Sequence, residues 1–139
     1  MEQFGQFVIN HWQLWLGFVV VLILFFINEI HSQKTRAKSL SPHKVVDLMN
    51  EDKVVLIDIR DKETFKNGHI LNSIQTNPED FDSQKMSKYK NKPIVLICSK
   101  GIQSQSLAAK IKTKGFEPLV LGGGLDAWQN ADLPLVKGK

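Results

Sequence analysis

An uncharged apolar run near the N-terminus constrains the fold of this chain more than any other feature. The run extends from Leu14 to Ile27, and apolar residues from position 7 onward lengthen it. It reaches about 20 residues, which is enough for a helix to cross a bilayer. A signal peptide would need a positive region before the run and a small-residue cleavage site after it. Only Glu2 is charged before the run, and bulky residues close it. The sequence therefore predicts a retained anchor over residues 1–31, with residues 7–27 in the membrane.

The basic residues around this run predict its orientation. Lys34, Arg36 and Lys38 follow it closely, and no Lys or Arg precedes it. Flanks rich in Lys and Arg tend to stay in the cytoplasm. We therefore expect a single-pass protein whose N-terminus lies outside and whose C-terminal part is cytoplasmic. Residues 32–38 are typical of a short juxtamembrane linker, and residues 39–139 of one domain.

Beyond the linker, the chain alternates strand and helix patterns. Strand-like runs near residues 37–40, 54–57 and 93–97 are separated by helical patterns such as 42–50 and 105–114. Alternation of this kind favours a parallel sheet that is covered by helices on both faces. We expect an α/β domain built on an open sheet of about five strands.

The single cysteine, Cys98, closes the most apolar of the strand-like runs. A polar loop follows it, and then a helical pattern begins. The carboxyl end of a parallel strand is where open α/β sheets bind ligands. Free backbone N–H groups and the helix dipole favour a thiolate over a thiol there, and Lys100 adds a positive charge. The alternative interpretation is a lone cysteine that packs as a small hydrophobic residue.

Charge and composition argue against several other classes of protein. The net charge is +4, and the basic residues scatter among acidic ones, so no nucleic-acid partner is expected. One cysteine excludes an intramolecular disulfide and a Cys-x-x-Cys motif. The 4 histidines show no metal-ligand spacing, so the sequence predicts no metal site and no cofactor.

Three ordered motifs resemble the rhodanese (sulfurtransferase) family. The first joins Asp58-Ile59-Arg60 to Phe65-Lys66-Asn67-Gly68-His69-Ile70, the second is the loop Cys98–Gln103, and the third runs from Leu121 to Trp128. Together they span roughly residues 39–135. With the apolar run in front, the chain resembles the membrane-anchored, single-domain rhodanese-like proteins of Gram-negative bacteria. The resemblance implies a rhodanese-like sheet and a location in the bacterial inner membrane.

The resemblance also implies a reaction. Cys98 would be the catalytic nucleophile, which takes up a sulfane sulfur as a persulfide and passes it to a thiol or to cyanide. The donor would be a small sulfur anion such as thiosulfate, or a protein persulfide; the thiol acceptor is not identified. The substrate-binding residues would be those of the loop and the first helical turn, namely Ser99, Lys100, Gly101, Ile102, Gln103 and Ser104. Asp58 and Arg60 would support the site. Their positions in the sequence favour a structural role instead, in which Asp58 ties down the neighbouring loop and Arg60 pairs with Glu63 or another acid.

The loop after Cys98 differs from the corresponding loops of two related classes of enzyme, and both differences bear on function. Dual-specificity phosphatases that share this fold have a loop one residue longer that ends in Arg, and this loop contains no Arg to grip a phosphate. Many active sulfurtransferases carry Arg where this chain has Gln103, and Gln donates hydrogen bonds without charge. A membrane-tethered interaction module with little catalysis is therefore the alternative function. The glycines at positions 122–124 predict a close backbone approach beside the loop.

Overall fold

The computed structural model describes residues 1–138, apart from the side chains of residues 33–35, and divides the chain into two compact units between Thr35 and Arg36. The first unit consists of two helices, α1 (Glu2–Asn10) and α2 (Trp12–Thr35). By length and composition, Trp12–Ser32 could cross a membrane. Helix α2 continues through the first part of the predicted linker, and the proposed domain boundaries stay predictions. The side chain of Lys34 and all of Lys139 lie outside the described residues.

The second unit is built on a parallel sheet of five strands in the order β1-β5-β4-β2-β3. The strands are β1 (Lys38–Leu40), β2 (Val55–Asp58), β3 (Ile74–Gln75), β4 (Pro93–Ile97) and β5 (Glu117–Leu121). Every neighbouring pair is parallel. The expected α/β architecture is therefore confirmed, and β4 lies at its centre.

Four helices and two 3₁₀ helices cover this sheet. They are α3 (Pro42–Asn50), α4 (Lys62–Asn67), the 3₁₀ helices Pro78–Asp82 and Gln84–Tyr89, α5 (Ile102–Lys112) and α6 (Gly124–Asn130). Helix α3 has the predicted bounds because local signals mark its start: Ser41 accepts a hydrogen bond from the Lys44 amide at 3.3 Å, and Pro42 follows it. Helix α5 begins three residues before the predicted Gln105, so the loop after Cys98 is shorter than the sequence suggested.

Alternate residues of β4 pack into two separate hydrophobic cores, one on each face of the sheet. Ile94, Leu96 and then Cys98 pack on one face with α5 and the two 3₁₀ helices. Val95 and Ile97 pack on the other face with α3 and α6. Because successive side chains of a strand point to opposite faces, this arrangement requires helices on both sides, as the sequence predicted. It also assigns Cys98 to the face that α5 covers.

The C-terminal segment is paired with the end of α4. His69 and Val136 exchange two backbone hydrogen bonds of 2.9 and 2.8 Å, and the Gly138 amide donates to the Lys66 carbonyl at 2.9 Å. The indole of Trp128 donates to the Pro134 carbonyl at 3.1 Å. These bonds hold the last described residues against the domain, next to the segment that carries Gly68 and His69.

Candidate functional site

Cys98 is the first residue after the central strand β4, and its side chain is only 2% exposed. Two backbone amides reach its sulfur. The N–H of Gly101 donates to Sγ at 3.0 Å, and the N–H of Ser104 donates at 3.4 Å. Donors aimed at a sulfur atom stabilise negative charge on it. The short loop therefore curls around the thiol and directs backbone donors at it.

Gly101 makes this curl possible. Its φ is +88°, in the left-handed region that residues with a side chain rarely adopt. A Cβ at this position would also lie 3.1 Å from the backbone nitrogen of Gly123. The chain can therefore turn from β4 into α5 within the four residues 98–101 only with glycine at position 101.

Further amides of the loop are available for a ligand. The backbone N–H groups of Ser99, Lys100, Ile102 and Gln103 have no hydrogen-bond partner within residues 1–138. They surround the beginning of α5, where the helix dipole adds positive potential. An anion bound here could accept several hydrogen bonds without any change in the fold.

A pocket of about 310 Å³ opens over the thiol and is lined by Cys98, Ser99, Lys100, Ile102 and Gln103. Lys100 is the only ionisable cation in this lining, and Gln103 adds a neutral amide. The side chain of Ile102 is 72% exposed beside the pocket. The structure thus brings together all six predicted binding residues: Gly101 and Ser104 at the sulfur, and the other four around the opening. Their roles in binding stay predictions.

The side chain of Ser104 is fully buried, and its Oγ has no hydrogen-bond partner among the described residues. The backbone of the same residue donates to the Cys98 sulfur. A buried hydroxyl without a partner is unfavourable, so this group is left as an unpaired donor in the first turn of α5. No three acidic, histidine or cysteine side chains within residues 1–138 come together to hold a metal ion.

Asp58 and Arg60 interact with each other and do not line the pocket over Cys98. The Nε of Arg60 donates to Oδ1 of Asp58 at 3.0 Å, and its Nη2 donates to Oδ2 at 2.8 Å. Nη2 also donates to the Gly68 carbonyl at 2.7 Å. The pair therefore ties the end of β2 to the end of α4, which favours the structural interpretation of these two residues.

Two hydrogen bonds that reach the loop from α6 could not be predicted from the sequence. The amide of Leu125 donates to the carbonyl of Cys98 at 2.9 Å, and the amide of Asp126 donates to the carbonyl of Ser99 at 3.1 Å. The only signal was the run of glycines at positions 122–124, which predicted close backbone approach without naming the partners.

Comparisons with known proteins agree with this geometry. A family model of the rhodanese-like domain matches residues 41–131. The chain is 29% identical to the uncharacterized protein YibN of Escherichia coli K12 over 143 aligned positions, which cover all of both chains. It is 33% identical to the thiosulfate sulfurtransferase GlpE of Shewanella oneidensis over 96 positions, or 68% of this chain and 95% of GlpE. A rhodanese-related protein from Thermoplasma volcanium has a similar fold, with a TM-score of 0.64 at 19% identity over 71% of this chain and 97% of that one.

Proposed function

This chain belongs to the rhodanese-like domain family, and from that premise we propose that it is a sulfurtransferase with Cys98 as the nucleophile. The observation that carries the proposal is the pair of N–H groups on the Cys98 sulfur, from Gly101 at 3.0 Å and Ser104 at 3.4 Å. These donors favour the thiolate, which is the reactive form of cysteine. Relatives such as the GlpE of Shewanella oneidensis carry the name thiosulfate sulfurtransferase, in line with this chemistry.

The reaction would proceed in two steps, uptake of sulfur by Cys98 and its release to an acceptor. The Cys98 thiolate attacks the outer sulfur of thiosulfate, a new S–S bond forms, and sulfite leaves with the electron pair of the broken S–S bond. The product is a Cys98 persulfide whose negative charge lies on the outer sulfur. An acceptor thiolate or cyanide then attacks that outer sulfur and releases the Cys98 thiolate. A protein persulfide in place of thiosulfate would release a thiolate.

The loop supplies hydrogen-bond donors and a positive charge for the anions that these steps involve. The outer sulfur of the persulfide would extend into the pocket, where the unpaired amides of Ser99, Lys100, Ile102 and Gln103 would donate to it. An unpaired anion in a partly buried site would be unfavourable, so the ring of donors keeps the intermediate stable until an acceptor arrives. Lys100 would attract the anionic donor. Asp58 and Arg60 would support the site from outside the pocket.

The proposed setting is the bacterial inner membrane. Residues 7–27 would span the bilayer, with residues 1–31 as the anchor, 32–38 as the linker and 39–139 as the cytoplasmic domain. The apolar helix Trp12–Ser32 supports the anchor by its length and composition, and the basic flank supports the orientation.

A membrane-tethered interaction module is the second candidate. It is favoured by the neutral Gln103 at the pocket and by the exposed Ile102 beside it. An exposed large apolar side chain at the rim of a pocket suits contact with a partner protein.

Mass spectrometry of the full chain in detergent separates the two candidates. Incubation with thiosulfate, or with a persulfidated cysteine desulfurase, should add the mass of one sulfur atom, and dithiothreitol should remove it. Cys98→Ser should abolish the adduct. The variant should still fold, because the Ser hydroxyl can accept hydrogen bonds from the two amides that now reach the sulfur. Ser106→Ala, on the first turns of α5, serves as the matched control and should load normally. If neither donor loads the wild-type chain, the interaction module replaces the sulfurtransferase.

A further inference from the structure

Helix α6 contacts the backbone of the cysteine loop directly. The amides of Leu125 and Asp126 donate to the carbonyls of Cys98 and Ser99 at 2.9 and 3.1 Å. These two donors belong to the first turn of α6, whose amides have no partner within their own helix. The loop carbonyls are therefore held towards α6 by donors that would otherwise be unpaired.

The orientation of these carbonyls sets the orientation of the next two amides. In a trans peptide the C=O of one residue and the N–H of the following residue point in opposite directions, and the chain contains no cis peptide among the described residues. With the carbonyls of Cys98 and Ser99 turned towards α6, the N–H groups of Ser99 and Lys100 point away from it. The pocket over the thiol is lined by both residues and by none of α6.

The lack of a side chain at Gly124 allows α6 to approach the backbone of the cysteine loop this closely. Its φ is +61°, and a Cβ there would lie 2.6 Å from the carbonyl carbon and oxygen of Ser99 and would also collide with the Cys98 carbonyl oxygen. These are backbone atoms, which cannot move aside without rotating the peptides of the loop. A side chain at position 124 would therefore displace the two carbonyls that α6 now holds.

We propose that Gly124 is a positioning residue for the thiol loop: it lets the first turn of α6 hold the Cys98 and Ser99 carbonyls, and so aims the Ser99 and Lys100 amides at the sulfur bound on Cys98. The inference deepens the proposed function and rests on it for the identity of the bound sulfur. Gly124 would act through the loop and would not touch the substrate.

The test compares Gly124→Ala with Gly115→Ala in the full chain in detergent. Gly115 also has a positive φ, of +95°, but a Cβ there would meet only Lys90 Cδ, at 4.0 Å. Both variants carry the strain of a side chain in the left-handed region, and only Gly124→Ala disturbs the loop. Gly124→Ala should slow sulfur loading roughly 10- to 100-fold, since loss of aligned donors at a developing anion has effects of this order. Gly115→Ala should load within about twofold of wild type, because it leaves those donors in place.

A second readout does not depend on sulfur transfer. In a Cys98→Ser background, which takes up no sulfur, thiosulfate binding followed through the backbone amide NMR signals of Ser99 and Lys100 should weaken in Gly124→Ala and stay unchanged in Gly115→Ala, because only the first variant turns those two amides away from the pocket. Lys100, the ionisable cation that lines the pocket, is the same in all variants. If wild type cannot be loaded but thiosulfate binding still weakens in Gly124→Ala, the proposed function fails and the positioning role stands. If wild type loads and Gly124→Ala matches Gly115→Ala in both readouts, the positioning role is wrong.

A second pair of variants tests the inference if Gly124→Ala fails to fold. Asp126 is exposed and lies in the first turn of α6, where proline is tolerated. Asp126→Pro and Asp126→Ala both remove the carboxylate, but only the proline removes the N–H that reaches the Ser99 carbonyl. Slower loading in the proline variant than in the alanine variant supports the inference, and equal rates overturn it.

Discussion

Arg60 binds the buried carboxylate of Asp58 with two nitrogens. Nε donates to both carboxylate oxygens, and Nη2 donates to Oδ2 at 2.8 Å. The Asp58 side chain is fully buried and that of Arg60 is 9% exposed. Nη2 also donates to the carbonyl of Gly68, which lies next to the residues paired with the C-terminal segment. One ion pair thus links the end of β2 to the end of α4, which in turn is paired with the C-terminal segment through His69 and Val136.

Removing Arg60 should destabilise the domain strongly. Arg60→Met would leave the Asp58 carboxylate buried without its partner, and breaking a buried pair in this way lowers stability by about 3–5 kcal/mol. Urea unfolding of the full chain in detergent, followed by tryptophan fluorescence, measures the change. Lys53→Met is the control, because it breaks only the exposed pair with Glu51 at 2.8 Å and should leave the midpoint unchanged. A stable Arg60→Met protein that no longer takes up sulfur would instead show that Arg60 serves the substrate.

Restoring a cation at position 103 should improve the use of thiosulfate. Gln103 lines the pocket without charge, and a charge-assisted hydrogen bond exceeds a neutral one by about 1 kcal/mol or more. Gln103→Arg should therefore raise kcat/KM for thiosulfate by roughly fivefold to tenfold. Gln103→Met, which has similar length and no charge, should give no increase. An equal rise in both variants would mean that side-chain size, and not charge, limits the donor.

The orientation in the membrane should follow the basic flank. A reporter fused after Lys139 should behave as cytoplasmic, and the protein should stay in the membrane through an alkaline carbonate wash. Replacing Lys34 and Arg36 by Gln while introducing Lys at Gln3 and Gln6 should reverse the reporter signal, because orientation follows the Lys and Arg bias. Lys85 and Lys88 lie far along the sequence from the apolar run, so replacing them by Gln should not reverse the signal. Release by carbonate would contradict the anchor, and an external reporter on the wild-type chain would contradict the orientation.

The pairing of the C-terminal segment should contribute measurably to stability. Val136→Pro removes the N–H that donates to the His69 carbonyl at 2.8 Å, and leaving one buried acceptor unpaired lowers stability by about 1–3 kcal/mol. Val136→Ala keeps the N–H and trims only the side chain, so it should lose less. Thermal unfolding of the two variants side by side gives the difference. Equal melting temperatures would show that the segment is held by its other contacts.

Elements with local signals could be predicted from the sequence. Strand β4 was evident as an apolar run, and α3 was predicted with its observed ends because Ser41 and Pro42 mark its start. The same reasoning located Cys98 at the end of a buried strand and before a helix, whereas the six binding residues came from the resemblance to the rhodanese family. Each of these features depends on residues that are neighbours along the chain, so hydrophobic periodicity and helix-capping residues are enough to predict it.

Other features became visible only in the tertiary structure. The partner of Arg60 was left open by its sequence neighbours, among which Glu63 was a candidate, and the structure selects Asp58. The donors from Leu125 and Asp126 reach the Cys98 loop because β5 pairs beside β4, which delivers the first turn of α6 to that loop.

The sequence by itself determined the alternation of strands and helices, the apolar N-terminal helix and the place of the only cysteine, because local patterns encode these. The strand order, the amides that actually reach the sulfur and the helix that orients the loop were decided by the tertiary structure. Hydrogen bonds between segments far apart in the chain depend on how the sheet is assembled, and backbone donors look alike in every residue except proline.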